Sequence, residues 1–247
     1  MRILLLDLET APNLVHVWGL WQQNVAINQI IKPGYTLCWA AKWLGEDEIY
    51  YASLEHDKEF MLNTIYKLLD EADAVVHYNG TKFDIPTLNQ EFISVGLTPP
   101  SSFRQIDLLR TTRGQFRFPS NKLDYVARVL GLGQKHAHKG HGLWIGCMEG
   151  DTESWKVMQE YNIQDVVLLE KLYNKLLPWI KNHPNVGLYN KEEGPVCPVC
   201  GGKHLHKRGV AHTAVGTYTR YRCNDCGKWS RSRKQDVTAI KAEAVGY

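Results

Sequence analysis

Residues 2–6 read as a buried strand, because the run is short and apolar, and it leads directly into Asp7-Leu8-Glu9-Thr10. Asp7 and Glu9 are two apart, so on a strand both side chains leave the same face. Asp84 closes His77-Tyr78-Asn79-Gly80-Thr81-Lys82-Phe83-Asp84, at a loop-to-helix junction ahead of Pro86. Asp165 follows Tyr161 by four residues in Tyr161-Asn162-Ile163-Gln164-Asp165, which puts both on one helix face a turn apart. All of these lie on elements that otherwise read as buried. Buried carboxylates brought together lose hydration and repel one another, which raises their pKa values. Hard divalent cations at their meeting point resolve that conflict, and a pair of such ions suits phosphodiester hydrolysis. The fold must therefore bring three separate elements to one edge of a sheet.

Hydrophobic periodicity supplies those elements. Residues 35–44 and 48–52 are rich in aromatic and β-favouring side chains, and Gly45-Glu46-Asp47 between them predicts a hairpin. Residues 57–69 carry apolar side chains at 61, 62, 65, 68 and 69, a helical spacing. Residues 74–77 and 103–106 read as short strands. Helices are expected over 86–95, ended by Gly96, over 121–130, ended by Gly131, and over 154–177, stopped by Pro178. Alternating strands and helices predict an α/β domain with a mixed sheet flanked by helices. The expected domains are 1–180, a linker at 181–196 rich in Asn, Pro and Gly, a cysteine module at 197–234 and a tail at 235–247. A content of 44% hydrophobic residues is enough for a sizeable core. Apolar runs fall far short of the roughly 20 residues of a membrane span. Met1-Arg2 meets the first strand without a cleavage site, so a cytoplasmic location is expected, that of a host cell if the chain is phage-encoded.

In this order and on these elements, the three motifs resemble those of the DEDD-type 3′–5′ exonucleases, whose ribonuclease-H-like fold is shared with polymerase proofreading domains. The carrying residues are Asp7-Leu8-Glu9-Thr10, Asn79-Gly80-Thr81-Lys82-Phe83-Asp84 and Tyr161-Asn162-Ile163-Gln164-Asp165. A Tyr four residues before the last Asp matches the tyrosine subclass (DEDDy), and the position where the histidine subclass carries His is Glu160. Ile106-Asp107-Leu108-Leu109, and Lys122-Leu123-Asp124 through Leu130-Gly131-Leu132-Gly133, resemble the stretch between the second and third motifs. The resemblance covers about residues 1–180 and points to stand-alone enzymes, phage-encoded ones included, with no attached polymerase. It implies that Asp7 bridges two Mg²⁺ or Mn²⁺ ions, that Glu9 and Asp165 complete the nucleophile-side ion, and that Asp84 acts mainly through water on the second. The free phenol pKa is about 10, so Tyr161 is a poor general base at neutral pH and is expected to orient the attacking water.

Other positions carry weaker signals. Asp107 reads better as the N-cap of residues 108–111 than as a fifth catalytic carboxylate. Thr10 is a candidate contact to the terminal nucleotide, with a structural strand-end role equally open. Phe83 reads as core packing under the loop, with stacking on a base as the other role. Trp18 and Trp21, near Gln22, Gln23, Asn24 and Asn28, fit either an exposed substrate flap or an edge strand packed on the core. The histidines of residues 135–141 fit a basic loop beside substrate phosphates, or a plain solvated loop, better than a transition-metal site.

Four of the six cysteines form Cys197-Pro198-Val199-Cys200 and Cys223-Asn224-Asp225-Cys226, each pair followed by glycine. Zn²⁺ prefers four tetrahedral thiolates, and each Cys-x-x-Cys turn offers two. The 22 residues between the pairs fit a zinc ribbon built on a hairpin. So short a module has too little core to fold without metal. His204, His206 and His212 are substitute ligands, but four cysteines already complete the shell. Thiolates held this way indicate a reducing compartment.

Residues 197–234 hold nine Lys+Arg against Asp225 alone, a net of +8, whereas residues 1–196 hold 19 against 23 acidic groups, a net of −4. Basic side chains interleaved with aromatics suit a nucleic-acid strand, with Lys207, Arg208, Arg220, Arg222, Trp229, Arg231 and Arg233 as candidate contacts. A solubilising surface or a protein-docking module is the other reading. The expected function is metal-dependent 3′–5′ exonuclease action on single-stranded DNA, with two Mg²⁺ or Mn²⁺ and one structural Zn²⁺. DNA is the expected partner, with RNA as the alternative, no membrane, and replication or repair proteins as further candidates. An RNase or structure-selective nuclease on the same fold competes with this reading. So does a non-catalytic, nucleic-acid-binding zinc-ribbon protein, against which the five intact motif residues argue.

Overall fold

The computed structural model describes residues 1–135, 140–189, 194–214 and 216–236. The chain divides into two compact units, Arg2–Tyr173 and Asn174 onward together with Met1. The first unit begins with β1 (Ile3–Thr10), two short paired strands, β2 (Leu14–Val15) and β3 (Ile30–Lys32), and the hairpin β4 (Thr36–Trp43) and β5 (Ile49–Ser53). There follow α1 (Lys58–Glu71), β6 (Ala74–His77), α2 (Asp84–Ser94), β7 (Arg104–Asp107), α3 (Leu108–Gln115), α4 (Leu123–Val129), α5 (His141–Glu149) and α6 (Thr152–Leu176), whose last residues belong to the second unit.

Five strands form one mixed sheet in the order β5-β4-β1-β6-β7. β1 is the switch strand: it pairs antiparallel with β4 and parallel with β6. Leu4, Leu6 and Leu8 of β1 join Trp39, Met61, Ile65, Leu88 and Phe92 in the core under α1 and α2. Each such side chain contributes about 1.5–3 kcal/mol by leaving water. The Trp39 indole N–H is satisfied by the Met61 carbonyl at 2.9 Å. Strand alternation then directs Asp7 and Glu9 to the opposite face. That face carries a second core of Leu37, Cys38, Leu143, Cys147, Trp155, Met158 and Tyr161 from β4, α5 and α6.

Most elements start and stop where the sequence predicts. Asp57 caps α1 by accepting from the Phe60 amide, and Gly96 and Gly131 follow α2 and α4 with φ of +80° and +69°. β1 extends to Thr10, so both carboxylates lie on the strand itself. α5 is an element the sequence reading lacked. Its Gly146 permits close approach to the start of α6, since a Cβ there would meet Ser154 Oγ at 2.1 Å.

In the second unit, β8 (Leu205–Thr213), β9 (Gly216–Cys223) and β10 (Trp229–Arg231) form an antiparallel sheet in the order β10-β9-β8. Part of the segment read as a linker is built into this unit. Val186–Leu188 forms a 3₁₀ turn, and the Val186 amide donates to the Pro198 carbonyl at 2.8 Å. Lys228 Nζ donates to the carbonyls of Pro178 (3.2 Å) and Ile180 (2.7 Å). Residues 190–193 and the tail from 237 lie outside the described residues. Among the described residues, no helix is long and apolar enough to cross a membrane.

Candidate active site

Asp7 and Glu9 of β1 and Asp165 of α6 each bring a carboxylate oxygen within 4.8 Å of the others. α6 is pinned across this face of the sheet. Asn162 Nδ2 donates to Asp7 Oδ2 at 2.7 Å, and the Cys38 thiol lies 3.7 Å from Asn162 Oδ1. Lys42 of β4 pairs with Glu170 further along the helix at 2.5 Å. The Trp144 indole N–H of α5 donates to Glu9 Oε2 at 3.1 Å. Tyr161 and Asp165 are both buried, so the Tyr–Asp pair is not a solvated helix face.

Asp84 stands outside that three-carboxylate cluster and close enough to act on Asp7 electrostatically. It is the first residue of α2, with Phe83 at the cap position and 42% exposed, so Phe83 is not a core residue as the sequence suggested. Pro86 in the first turn sets a helical φ suited to this helix start. The loop before Asp84 is tightly built. Asn79 adopts φ of +76°, and a Cβ at Gly80 would meet the His77 ring at 2.4 Å. Asp107 caps α3 through the Leu109 and Arg110 amides, as expected, and it also takes the Asn79 amide at 3.0 Å. Asp107 thus steadies the loop that delivers Asp84.

The electrostatics are those of crowded acids that a single lysine neutralises only in part. Burial, then Asp165, Glu9 and Asp84, push the Asp7 carboxyl well above its ordinary range. Burial raises Glu9 to about 7, with Lys135 and the Trp144 N–H opposing and Asp165 and Asp84 adding. Burial also raises Asp84 to about 7, against hydrogen bonds from the backbone at Asp84 and Leu8. Burial and Asp165 push the Tyr161 phenol upward, away from any role as a base near neutrality.

Among the described residues, Lys135 is the cation paired with these acids, a reach that no local pattern signals. Its ammonium pairs with Asp165 Oδ2, donates to Tyr161 Oη at 2.7 Å and lies 4.8 Å from the Tyr161 ring centroid. Burial alone would lower its pKa, yet Asp165, Asp7 and Tyr161 hold it above the ordinary lysine value. The adjoining residues 136–139, read as a histidine-bearing basic loop, lie outside the described residues.

Two depressions lie near this cluster, one of which reaches Asp7. A cavity of about 580 Å³ is lined by Asp7, Tyr78, Arg113, Asn121, Lys122 and Lys135 among others. A second of about 410 Å³ is lined by Thr10, Pro12, Gly140, His141 and Trp144. Thr10 shares this second depression with Trp144, whose indole holds Glu9. Trp18 and Trp21 are not packed on the core, being 99% and 84% exposed.

In the second unit, Cys197, Cys200, Cys223 and Cys226 converge, with ligand atoms all within 4.8 Å and no disulfide. Cys197 and Cys226 Sγ are 3.7 Å apart, as are Cys200 and Cys223 Sγ. Thiolates about 2.3 Å from a tetrahedral zinc stand about 3.8 Å apart, so the donor set fits that ion. His204 instead pairs with Asp225 Oδ1 at 2.6 Å. Among the candidate strand contacts, Trp229 pairs opposite Arg222 and Arg231 opposite Arg220. With Tyr218 two residues before Arg220, these five side chains share one sheet face. The Arg220 guanidinium lies 4.9 Å from the Trp229 centroid and that of Arg231 3.9 Å from Tyr218. Lys207 and Arg208 lie on β8, where the Arg208 carbonyl accepts from Arg220 Nε, and Arg233 follows β10.

Comparison with known proteins agrees with this fold. The family B DNA polymerase from the hyperthermophilic archaeon Pyrobaculum calidifontis superposes with a TM-score of 0.54 at 18% sequence identity, covering 72% of this chain. The match takes in 24% of the polymerase's own length, and it is a likeness of fold. No curated protein matches the chain. A family model of the RNase_H superfamily matches residues 42–177, a span that runs from the hairpin through Tyr161 and Asp165. That span is more than half of the sequence, and the chain belongs to the RNase_H superfamily.

Proposed function

We propose that the protein is a divalent-metal-dependent 3′–5′ exonuclease of the tyrosine DEDD subclass that trims single-stranded DNA. The observation that carries this reading is the convergence of Asp7, Glu9 and Asp165, in a chain of the RNase_H superfamily. An all-carboxylate donor set suits hard cations, and the raised pKa values of Asp7 and Glu9 express a repulsion that cations would relieve. Asp7, Glu9 and Asp165 would hold two Mg²⁺ or Mn²⁺ ions, with Asp84 reaching them through water. When bound, the ions would lower the pKa of the attacking water and neutralise the leaving 3′ oxygen.

The chain's own groups then divide the remaining work. Asn162 fixes the Asp7 carboxylate, and Trp144 fixes Glu9. Lys135 donates to the Tyr161 oxygen and so sets the hydroxyl's rotation, which leaves the phenol O–H to orient the attacking water. Arg113 and Lys122, on the wall that also holds Asp7, supply positive charge for the phosphates of the strand. Tyr161→Phe removes the hydroxyl and keeps the ring, whose edge-on contact with Trp144 at 5.9 Å preserves the packing. Single-turnover cleavage should slow by about 10–10⁴-fold. An unchanged rate would remove Tyr161 from the chemistry.

The direction of attack is tested with labelled strands. With a 5′ label, products should shorten stepwise from the 3′ end, and circular single strands should stay intact. A ladder built from the 5′ end, or cutting of circles, contradicts the exonuclease assignment. Running RNA beside DNA decides between this reading and an RNase on the same fold. The arginine–aromatic face of the cysteine unit supports a second contact to the strand, through phosphates and stacked bases.

A further inference from the structure

The excursion between β1 and β4 has no part in the chemistry above, and its surface is unlike the rest of its unit. Trp18 is 99% exposed, Trp21 84%, Leu20 88% and Ile27 88%. Large apolar groups displayed together mark an interaction site. The excursion is fastened at its neck. β2 pairs with β3, the His16 amide donates to the Gln29 carbonyl at 2.9 Å, and Gln29 Nε2 returns to the His16 carbonyl at 3.0 Å. Its base is tied by the Gly34 amide, which donates to Asn13 Oδ1. The tryptophans therefore project from a built element.

Composition and position identify the occupant. Residues 11–34 contain no Asp or Glu, although residues 1–196 carry 23 acidic groups. The aromatic rings stand instead among Gln22, Gln23, Asn24 and Asn28, which are uncharged donors and acceptors. Such a surface repels no polyanion, offers π-faces, and can hydrogen-bond base edges. The excursion also springs from the site itself. β1 runs from Asp7 and Glu9 to Thr10, which pairs with Thr36 where the chain returns. The cleft lined by Thr10, Pro12 and Trp144 opens between the excursion's first residues and the indole that holds Glu9.

We propose that Trp18 and Trp21 form a stacking platform for unpaired bases of the strand whose end lies at the carboxylates. The inference rests on the nuclease reading for its substrate class. It commits to nucleobases rather than to a protein partner or a second copy of this chain.

The test is equilibrium binding by full-length protein, without divalent metal, of a short oligothymidylate and of an abasic strand of equal length. The Trp18→Ala/Trp21→Ala double variant should bind oligothymidylate about 10–100-fold more weakly, as expected for lost base stacking. Its affinity for the abasic strand should change by less than about twofold, because that strand offers nothing to stack. The log–log salt slope should not move, since no phosphate contact is lost, and Trp18→Phe/Trp21→Phe should recover much of the affinity. Equal loss on both strands, no loss on either, or wild type that binds no oligothymidylate overturns the platform. So does a wild-type dimer that the double variant converts to monomer with oligothymidylate affinity unchanged, which would make this a self-association face. Wild-type hydrolysis of a p-nitrophenyl nucleotide ester, run in parallel with Mn²⁺, keeps the two readings apart. If that ester is cleaved and the platform test fails, only the platform falls. If no phosphodiester is cleaved, the nuclease reading falls, and the binding arm still decides the platform.

Discussion

Asp7→Asn is expected to stop cleavage and to stabilise the metal-free protein. Asp7 lies at the centre of the carboxylate cluster: it meets Glu9 and Asp165, accepts from Asn162 and faces the cavity of about 580 Å³. If Asp7 is the shared cation ligand proposed above, its loss should cost more than the roughly 10³-fold that follows removal of one oxyanion donor. The same charge is a burden without metal, because burial and the neighbouring acids push its pKa well upward. Asparagine is isosteric, can keep the contact to Asn162 and removes the repulsion. Relief of about 1 kcal/mol moves the melting temperature of a chain this size by about 2–4 °C, so a rise of a few degrees in EDTA is expected. The pH dependence has a definite sign. Glu9 and Asp84 titrate at about 7 in the folded protein, against ordinary values of 4.5 and 3.8. Between those limits the folded state holds protons that the unfolded chain has lost. These groups therefore contribute a metal-free stability that falls as pH rises from about 4 to 7, and Mn²⁺ should restore most at neutral pH. A lower melting temperature for Asp7→Asn than for wild type, in EDTA at neutral pH, would count against the repulsion argument.

Cys197→Ser is expected to unfold the cysteine unit and to weaken strand binding. Structural zinc sites of this type bind with apparent free energies of about 10–16 kcal/mol, and in a small module that energy is folding energy. The three-stranded sheet buries little of its own, since its strands are largely half-exposed or exposed. Loss of one thiolate should dissolve the face that carries Arg220, Arg222 and Arg231. Each lost phosphate contact removes about 0.7 from the log–log salt slope on single strands, so three arginines account for about 2. The measurement is binding of the Asp7→Asn protein to single-stranded DNA across a salt series, with and without Cys197→Ser. Identical affinities and slopes would assign the ribbon to protein docking.

Much of the fold is legible because local signals agree with burial. The β4–β5 hairpin follows from its turn, α1 from its apolar spacing and Asp57, and the end of α6 from Pro178. α5 escapes because His141–Glu149 contains two glycines and apolar residues around most of its circumference, so it shows no amphipathic stripe. The acids of the candidate site are legible as motifs, since spacing on a strand or helix fixes which side chains share a face. Their supports are not. Lys135 acts on residues 26 and 30 positions away, and in sequence it is one more base in a basic loop. Trp144 reaches Glu9 across 135 residues. Asn162 offered a fainter signal: it is a polar residue three before Asp165, on the side of α6 that the motif already marks as buried. The exposure of Trp18 and Trp21 is undecidable locally, because an aromatic run followed by amide residues suits both an edge strand and a projecting loop.

Cleavage of a 5′-labelled single strand by the wild-type protein, followed in EDTA and again after Mn²⁺ or Mg²⁺ is added back with zinc, bears most directly on the carboxylate cluster. Expected are an intact strand in EDTA and, on restoring the cation, products that shorten one nucleotide at a time from the 3′ end. Cleavage in EDTA at the rate seen with Mn²⁺ would contradict Asp7, Glu9 and Asp165 as the ligands of catalytic ions.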